Sequence, residues 1–159
     1  NKQIKEKYLS MVKRREFQIW AVFGADIRNP SLNFLENLEN LEEVEIAVRV
    51  DKKYHETLKN TKIDLKKLKK LKKICLRILF DNKENKDDRL DFIPPFINVQ
   101  NKPELLIYDN RIEKISKEEL RLLKQYSKVH LDFNPIAENE TELAKLRKAK
   151  INFSAAQSF

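Results

Sequence analysis

Histidine, cysteine and glycine, on which most recognisable catalytic, metal-binding and phosphate-binding motifs depend, are scarce in this sequence. The histidines are His55 and His130, the single cysteine is Cys75, and the single glycine is Gly24. A cysteine-based zinc site or a disulfide framework needs several cysteines. A phosphate-binding loop needs several glycines, because its backbone must approach the phosphate closely. We therefore expect no enzyme active site, no cofactor and no metal centre.

Three carboxylates, Asp87, Asp88 and Asp91, cluster within one polar segment. Carboxylate oxygens are the ligands that calcium and magnesium prefer, so a weak cation site is one interpretation. Charged residues make up 36% of this chain, and acidic side chains are mostly hydrated at protein surfaces. We expect this cluster to be a hydrated loop.

A second cluster is basic and alternates with leucines. It contains Lys66, Lys67, Lys69, Lys70, Lys72 and Lys73, between which lie Leu65, Leu68 and Leu71. One interpretation is a basic amphipathic helix that binds a polyanion such as a phosphate chain or an anionic lipid surface. The other is that the leucines fill a core and leave the lysines in solvent, which we favour, with weak, sequence-independent binding of nucleic acid.

The overall charge permits an anionic partner but does not specify one. The 159-residue chain has 33 basic and 25 acidic residues, hence a net charge of +8. Lysines outnumber arginines by 24 to 9, whereas arginine is the better reader of phosphates and bases. Nucleic-acid binding is therefore our second choice of function.

Short apolar runs recur along the chain and predict β-strands. They include residues 17–23, 44–48, 74–78, 105–108, 129–133 and 151–153, each rich in β-branched or aromatic residues. Polar stretches long enough to hold a helix separate them, which favours parallel strands and an α/β fold. An ordinary doubly wound α/β domain, belonging to an enzyme, also fits this alternation, although the near-absence of glycine argues against it.

The positions of the apolar residues within each run indicate the fold more specifically than the spacing of the runs along the chain does. Apolar residues occupy equivalent places before a turn position at residues 22, 49, 79, 110, 134 and 154. Two of these turn positions hold an asparagine, within Leu105-Leu-Ile-Tyr-Asp-Asn-Arg-Ile112 and Val129-His-Leu-Asp-Phe-Asn-Pro-Ile136. In this pattern, clearest at 105–112 and 123–136, the chain resembles the leucine-rich-repeat family. The resemblance implies a solenoid with a curved parallel sheet and helical or irregular connections on its convex side.

The resemblance also predicts which side chains meet. Ile46, Leu76, Ile107, Leu131 and Ile151 should stack in the core as consecutive strands. The strand positions between the core residues should point outward on the concave face. Three rows of outward side chains are expected. The central row holds Trp20, Arg77, Tyr108, Asp132 and Asn152. One neighbouring row holds His130 and Lys150, and the other holds Ile78, Asp109, Phe133 and Phe153.

Helix signals fall in the connections. Ser116 and Glu119 form a capping box, and Asn139 with Glu142 repeats the cap of a second helix. Pro30-Ser31 should start a third helix, whereas Pro94-Pro95 should force an irregular segment whose aromatic residues cover the convex side.

We expect residues 1–15 to form an N-terminal helical or capping segment, and 16–159 to hold about six repeat-like units. The chain begins with Asn1 rather than methionine, so we interpret it as part of a larger protein. Its single cysteine favours a reducing compartment, so we expect an intracellular protein, cytoplasmic or nuclear. The resemblance implies a binding or scaffolding module whose partner is another protein or another domain of the same protein. The residues expected to contact it are Trp20, Arg77, Tyr108, His130, Asp132 and Phe133.

Overall fold

The computed structural model describes residues 16–22, 32–51, 54–81 and 89–157, with the backbone alone at 16–22, 48, 51 and 81. The expected N-terminal segment 1–15 and the expected helix start at Pro30-Ser31 lie outside this range. The strands are β1 (Glu16–Val22), β2 (Glu43–Asp51), β3 (Ile63–Asp64), β4 (Lys73–Asp81), β5 (Phe96–Ile97), β6 (Glu104–Leu106), β7 (Lys128–His130) and β8 (Phe153–Ser154). The α-helices are α1 (His55–Asn60), α2 (Lys117–Leu123) and α3 (Glu140–Lys148), and 3-10 helices span Asn33–Asn37 and Pro135–Glu138.

A six-stranded parallel sheet organises the molecule. Its strand order is β1-β2-β4-β6-β7-β8, which follows the order of the chain. Within the connections, β3 and β5 pair in a small parallel sheet of their own. The prediction of a mixed α/β fold with a parallel sheet is therefore confirmed. The strand order also lacks, over the described residues, the reversal that creates the ligand-binding crevice of a doubly wound sheet.

Alternating burial sets the inside of the sheet. In β4, Ile74, Leu76, Ile78 and Phe80 are buried, while the residues between them are half-buried. The outward placement predicted for Ile78 is wrong, because β4 continues its two-residue alternation past the point where a turn was expected.

Most of the predicted core layer forms, but the position predicted for its last member, Ile151, is wrong. Ile46 pairs with Leu76, and Ile107 follows β6 beside Leu131. On the other side of Leu131 the chain is shifted, because Val129 pairs with Phe153 and His130 with Ser154. Ile151 is buried but precedes β8, and Phe153 packs against the core instead of pointing outward. The expected outward positions of Lys150 and Asn152 in the sheet fall in the turn before β8.

Strand length follows the residue at the turn position. Strands β2 and β4 run nine residues and pass through Arg49 and Leu79, which were expected to end them. Strands β6 and β7 have three residues each and are followed by Asn110 and Asn134. The chain turns where the asparagines stand and continues as strand where β-branched residues alternate instead.

Each asparagine side chain forms hydrogen bonds with backbone groups that lose their strand partners where the strand ends. The buried side-chain amide of Asn134 donates to the carbonyl oxygens of Ile107 at 2.9 Å and Leu131 at 3.1 Å. Its Oδ1 atom accepts the backbone N–H of Ile112 at 2.9 Å. Asn110 donates in the same way to the carbonyl of Leu76 at 3.2 Å, but its Oδ1 has no partner among the described residues.

The connections follow their sequence signals closely. Ser116 and Glu119 form both bonds of the predicted capping box, and Asn139 caps α3 by accepting the N–H of Glu142. Around Pro94 the chain is irregular and Phe92 and Phe96 are buried, as expected from the two prolines. Gln125 then fixes this segment by donating to the Phe96 carbonyl at 2.8 Å.

Because the two asparagines form different hydrogen bonds, replacing each with alanine should lower the free energy of unfolding by a different amount. We expect Asn134→Ala to lower the free energy of unfolding more than Asn110→Ala, because it alone strands the buried N–H of Ile112. An unsatisfied buried donor costs about 1–3 kcal/mol, which sets the expected difference. Urea unfolding of both variants measures it, with the exposed Thr141→Ala as a control that should change little. An equal or larger cost for Asn110→Ala would contradict this account.

A second buried group predicts a stabilising change. The ring of Tyr126 occupies a core position, and its hydroxyl is buried without a hydrogen-bond partner among the described residues. Burial also raises the pKa of this hydroxyl, so it stays protonated. Tyr126→Phe should raise the free energy of unfolding by about 1 kcal/mol, since an unsatisfied hydroxyl is removed while the ring is kept. A loss of stability on the same urea measurement would show that the hydroxyl has a partner.

Candidate functional site

The partner-binding residues were predicted on the face of the sheet that is turned away from the core, here called the open face. Arg77 is in β4, Tyr108 follows β6, His130 ends β7, and Asp132 and Phe133 follow β7. Trp20 is in β1, where the backbone register runs from Trp20 through Ala47 to Arg77. The side chain of Trp20 lies outside the described residues.

Tyr108 is one of two large hydrophobic side chains exposed among the described residues, at 41%. The thiol of Cys75 on the neighbouring strand donates to its hydroxyl oxygen at 3.9 Å. Burial raises the pKa of the Cys75 thiol, and the nearby sulfur raises the pKa of the Tyr108 hydroxyl. Both groups are therefore neutral near pH 7, and Cys75 is a packing partner and not a nucleophile.

Arg77 is held by an ion pair that joins three segments of chain. Its Nη2 atom lies 3.0 Å from the Oδ2 atom of Asp109. Arg89 contacts the other oxygen of the same carboxylate and also donates to the Asp109 carbonyl at 3.0 Å. Sequence reasoning placed Asp109 on this face but missed Arg89, which follows a long polar stretch and carries no periodic signal. The result is a charged cluster with a defined geometry beside Tyr108.

His130 lies in a chain of hydrogen-bonding groups that resembles a hydrolase triad only in its residue types. Its Nε2 atom is 3.3 Å from Oε1 of Glu104, and its Nδ1 atom is 3.4 Å from the Ser154 hydroxyl. That hydroxyl donates instead to Oδ2 of Asp132, at 2.7 Å. A serine whose proton is directed to a carboxylate is not activated by the histidine, so the arrangement orders side chains and provides no nucleophile. Sequence reasoning missed Ser154 because its register for β8 was shifted.

Phe133 is the second exposed hydrophobic side chain, at 45%. Its φ angle of 63° lies in the left-handed region, which is costly for a bulky residue. Asp109 occupies the equivalent place one strand earlier, with φ 56°. The following asparagine in each case holds this turn, so an aromatic ring is kept in solvent on a defined backbone.

The other histidine has a structural role. The ring of His55 packs edge-on against Phe80, with centroids 4.6 Å apart, and against Phe92. Its Nε2 atom is 2.8 Å from a carboxylate oxygen of Asp91. Asp91 is thus a partner of His55, while Asp87 and Asp88 lie outside the described residues. Within the described part of the chain, no three His, Cys, Asp or Glu side chains lie close enough to hold a metal ion.

The lysine cluster forms turns and not the amphipathic helix that was one interpretation. Turns at residues 66–67 and 69–70 lie between the buried residues Leu65, Leu68 and Leu71. The leucines repeat every three residues, and the N–H of Leu68 bonds to the carbonyl of Leu65 at 3.0 Å. The lysines face solvent, except for Lys73, which is half-buried at the start of β4. The cluster lies at the amino ends of the strands and not on the open face.

The hydrogen bonds of Asp132 make part of the stability dependent on pH. Partial burial by itself raises the pKa of Asp132, but bonds from the N–H of Ala156 and the hydroxyl of Ser154 outweigh it, so the pKa lies below 3.8. This stabilisation is present above pH 3.8 and is lost as the pH falls through the folded-state pKa.

We therefore expect Asp132→Asn to lower stability by about 1 kcal/mol at neutral pH, and by less as the pH approaches about 3. Thermal melting of both proteins across this range measures the difference. The exposed carboxylate of Glu138, changed to Gln, is the matched control. A deficit of constant size at every pH would mean that the charge of Asp132 contributes nothing.

Comparisons with known proteins give no relative for this chain. No protein-family model, no curated protein and no solved structure matches it. Of the helices in the described ranges, none is long and apolar enough to cross a membrane.

Proposed function

We propose that this chain is a non-enzymatic binding module that presents the open face of its sheet to another protein or another domain. The observation that carries the proposal is the exposure of Tyr108 and Phe133, at 41% and 45%, on adjacent segments of the same sheet. The N–H of Asp109 bonds to the carbonyl of Asp132 at 2.9 Å, which joins the two segments. Exposed aromatic side chains held on a rigid framework are favourable contact residues, because they lose little entropy on binding.

The polar groups around the two rings support a protein partner. Arg77, Asp109 and Arg89 form one ion-paired cluster, and His130 and Asp132 belong to a second group linked through Ser154. Arginine and tyrosine are enriched among residues that dominate binding energies, whereas charges at the rim mainly select the partner. The mixture of both charge signs favours a protein surface over a uniform polyanion.

We further propose that the architecture is a short leucine-rich-repeat-like solenoid. Strands that follow the chain order, a layer of buried leucines and the asparagine bonds at two turns support this. In such an array each unit contacts its neighbours and leaves one sheet face free for binding. The proposed function needs only that free face, which the described strands β4, β6, β7 and β8 supply.

If the open face binds the partner, a substitution at Tyr108 should weaken binding and leave stability nearly unchanged. Tyr108→Ala should shift the free energy of unfolding by less than about 0.5 kcal/mol, as surface substitutions do. It should weaken partner binding by about 1 kcal/mol or more, which is roughly fivefold in Kd. The core variant Leu131→Ala should instead lose about 2–5 kcal/mol of stability.

Thermal melting and quantitative capture of proteins from the source cell lysate, with nuclease added, test this on the same set of variants. Phe133→Ala should behave as Tyr108→Ala does, and Lys117→Ala on the exposed side of α2 should change neither property. Proteins captured equally by wild type and both aromatic variants would refute the open face as the binding surface. Melting of Tyr108→Ala as severe as that of Leu131→Ala would refute its exposed placement.

A further inference from the structure

The amino ends of the parallel strands meet at one edge of the sheet, and the segments that lead into them lie side by side. We call residues 39–42, 66–72, 98–103, 124–127 and 148–152 the amino edge. Backbone bonds join its neighbours: the N–H of Lys72 to the Glu42 carbonyl at 2.7 Å, and that of Ser127 to the Pro103 carbonyl at 3.0 Å. The side chain of Asn152 donates to the Ser127 carbonyl at 3.0 Å. Segments distant in sequence therefore form one continuous surface.

This surface carries almost exclusively positive charge. The amino edge has two acidic residues, Glu39 and Glu42, and no arginine. It has nine lysines, all of them exposed: Lys66, Lys67, Lys69, Lys70, Lys72, Lys102, Lys124, Lys148 and Lys150. The described residues together hold 22 basic and 20 acidic side chains, a net charge of +2, so the excess of seven at this edge is offset by acidic residues elsewhere. Within the described residues, the positive charge is therefore concentrated at the amino edge.

Most of these lysines are not neutralised. Lys72 pairs with Glu42 at 3.1 Å and Lys66 with Asp64 at 3.7 Å, while Lys67 donates to a side-chain amide at 3.2 Å. The remaining six have no ion-pair partner among the described residues. Four lysines, together with Glu39 and Asn40, line a hollow of about 610 Å³ at one end of the edge: Lys66, Lys67, Lys69 and Lys70.

Two of the unpaired lysines occupy backbone conformations that disfavour them. Lys102 has a φ angle of 43° and Lys150 of 59°, in the left-handed region where glycine or asparagine is less strained. Lys150 follows the end of α3, at a place where helices commonly end in glycine. A lysine at these positions is more strained than a glycine would be.

The remaining side chains of the amino edge limit what the partner can be. Its apolar members are buried or half-buried, including Leu68, Leu71 and Tyr126, so no exposed aromatic ring can stack on a base. Single-stranded nucleic acids are bound largely through such stacking, and membrane surfaces are bound with the help of inserted apolar side chains. Without arginine, the planar guanidinium fork that favours specific recognition of bases is also absent from this edge. What remains is a set of lysines on the segments that lead into neighbouring strands, which lie about 4.8 Å apart in a sheet.

We propose that the amino edge binds the phosphate backbone of double-stranded nucleic acid without regard to base sequence. Duplex backbones present closely spaced phosphates, and lysines that neutralise them release condensed counterions. This surface is separate from the open face, so the two proposals stand or fall independently.

The test uses two variants with the same charge. Changing Lys69, Lys70, Lys102 and Lys150 to Gln lowers the net charge from +8 to +4, and so does changing the exposed control lysines Lys59, Lys62, Lys114 and Lys117. Binding of a labelled duplex of about 20 base pairs is followed by fluorescence anisotropy at several salt concentrations. Each lost phosphate contact reduces the slope of log affinity against log salt by about 0.9.

We expect the amino-edge variant to lose about 3 to 4 from this slope and at least about tenfold in affinity at low salt. The control variant should lose less than half as much. Equal losses in the two variants would overturn the proposal, because net charge alone would then explain binding. Tighter binding to single strands or to anionic phosphatidylserine vesicles than to the duplex would also overturn it.

A second variant separates binding from folding. Changing Lys102 and Lys150 to Gly removes two charges and also relieves the left-handed strain. We expect a higher melting temperature together with a loss of about 2 from the salt slope. A higher melting temperature with unchanged duplex binding would show that these two lysines do not contact the duplex. The proposal that the whole amino edge binds it would then be refuted.

Discussion

The fold depends on hydrogen bonds to the buried backbone N–H and C=O groups that lie just beyond the ends of the strands. Within the sheet, neighbouring strands pair these groups, but β6 and β7 end after three residues. Asn110 and Asn134 then supply side-chain donors to carbonyls on their own and the preceding segment. Glu119, Gln125 and Glu142 accept backbone N–H groups of the preceding connections in a similar way. Because a buried unpaired backbone group is costly, these few side chains fix how each segment lies on the previous one.

The same stacking determines both candidate binding surfaces. Leucines such as Leu68 and Leu71 fill the space between sheet and connections, so the lysines between them must face solvent at the amino edge. On the open face, the two-residue alternation exposes the side chains between core residues, Tyr108 among them. The open face has both signs of charge and exposed rings, whereas the amino edge has lysines and no exposed ring. Two different classes of partner are therefore expected for two surfaces of one framework.

Local sequence determined much of the fold. The spacing of apolar residues predicted parallel strands and the core positions of Leu76 and Leu131, which are fully buried. The caps at Ser116 and Asn139 were predicted correctly, since a cap depends on residues only three positions apart. The exposure of Tyr108 followed from the same alternation. The scarcity of histidine, cysteine and glycine led to the expectation of a non-enzymatic chain, which stays a prediction.

Tertiary structure decided where strands end and which side chains meet across them. Strand β4 continues through Leu79, beyond the turn expected from the repeat register, and β2 pairs with it over its whole length. The pairing of His130 with Ser154 depends on the length of the connection through α3, which shifts the register predicted from Ile151. The cluster of Arg77, Asp109 and Arg89 joins three segments in the same way. Sequence spacing defines neighbours along one strand, whereas interstrand hydrogen bonds define neighbours across strands, and only the folded chain contains them.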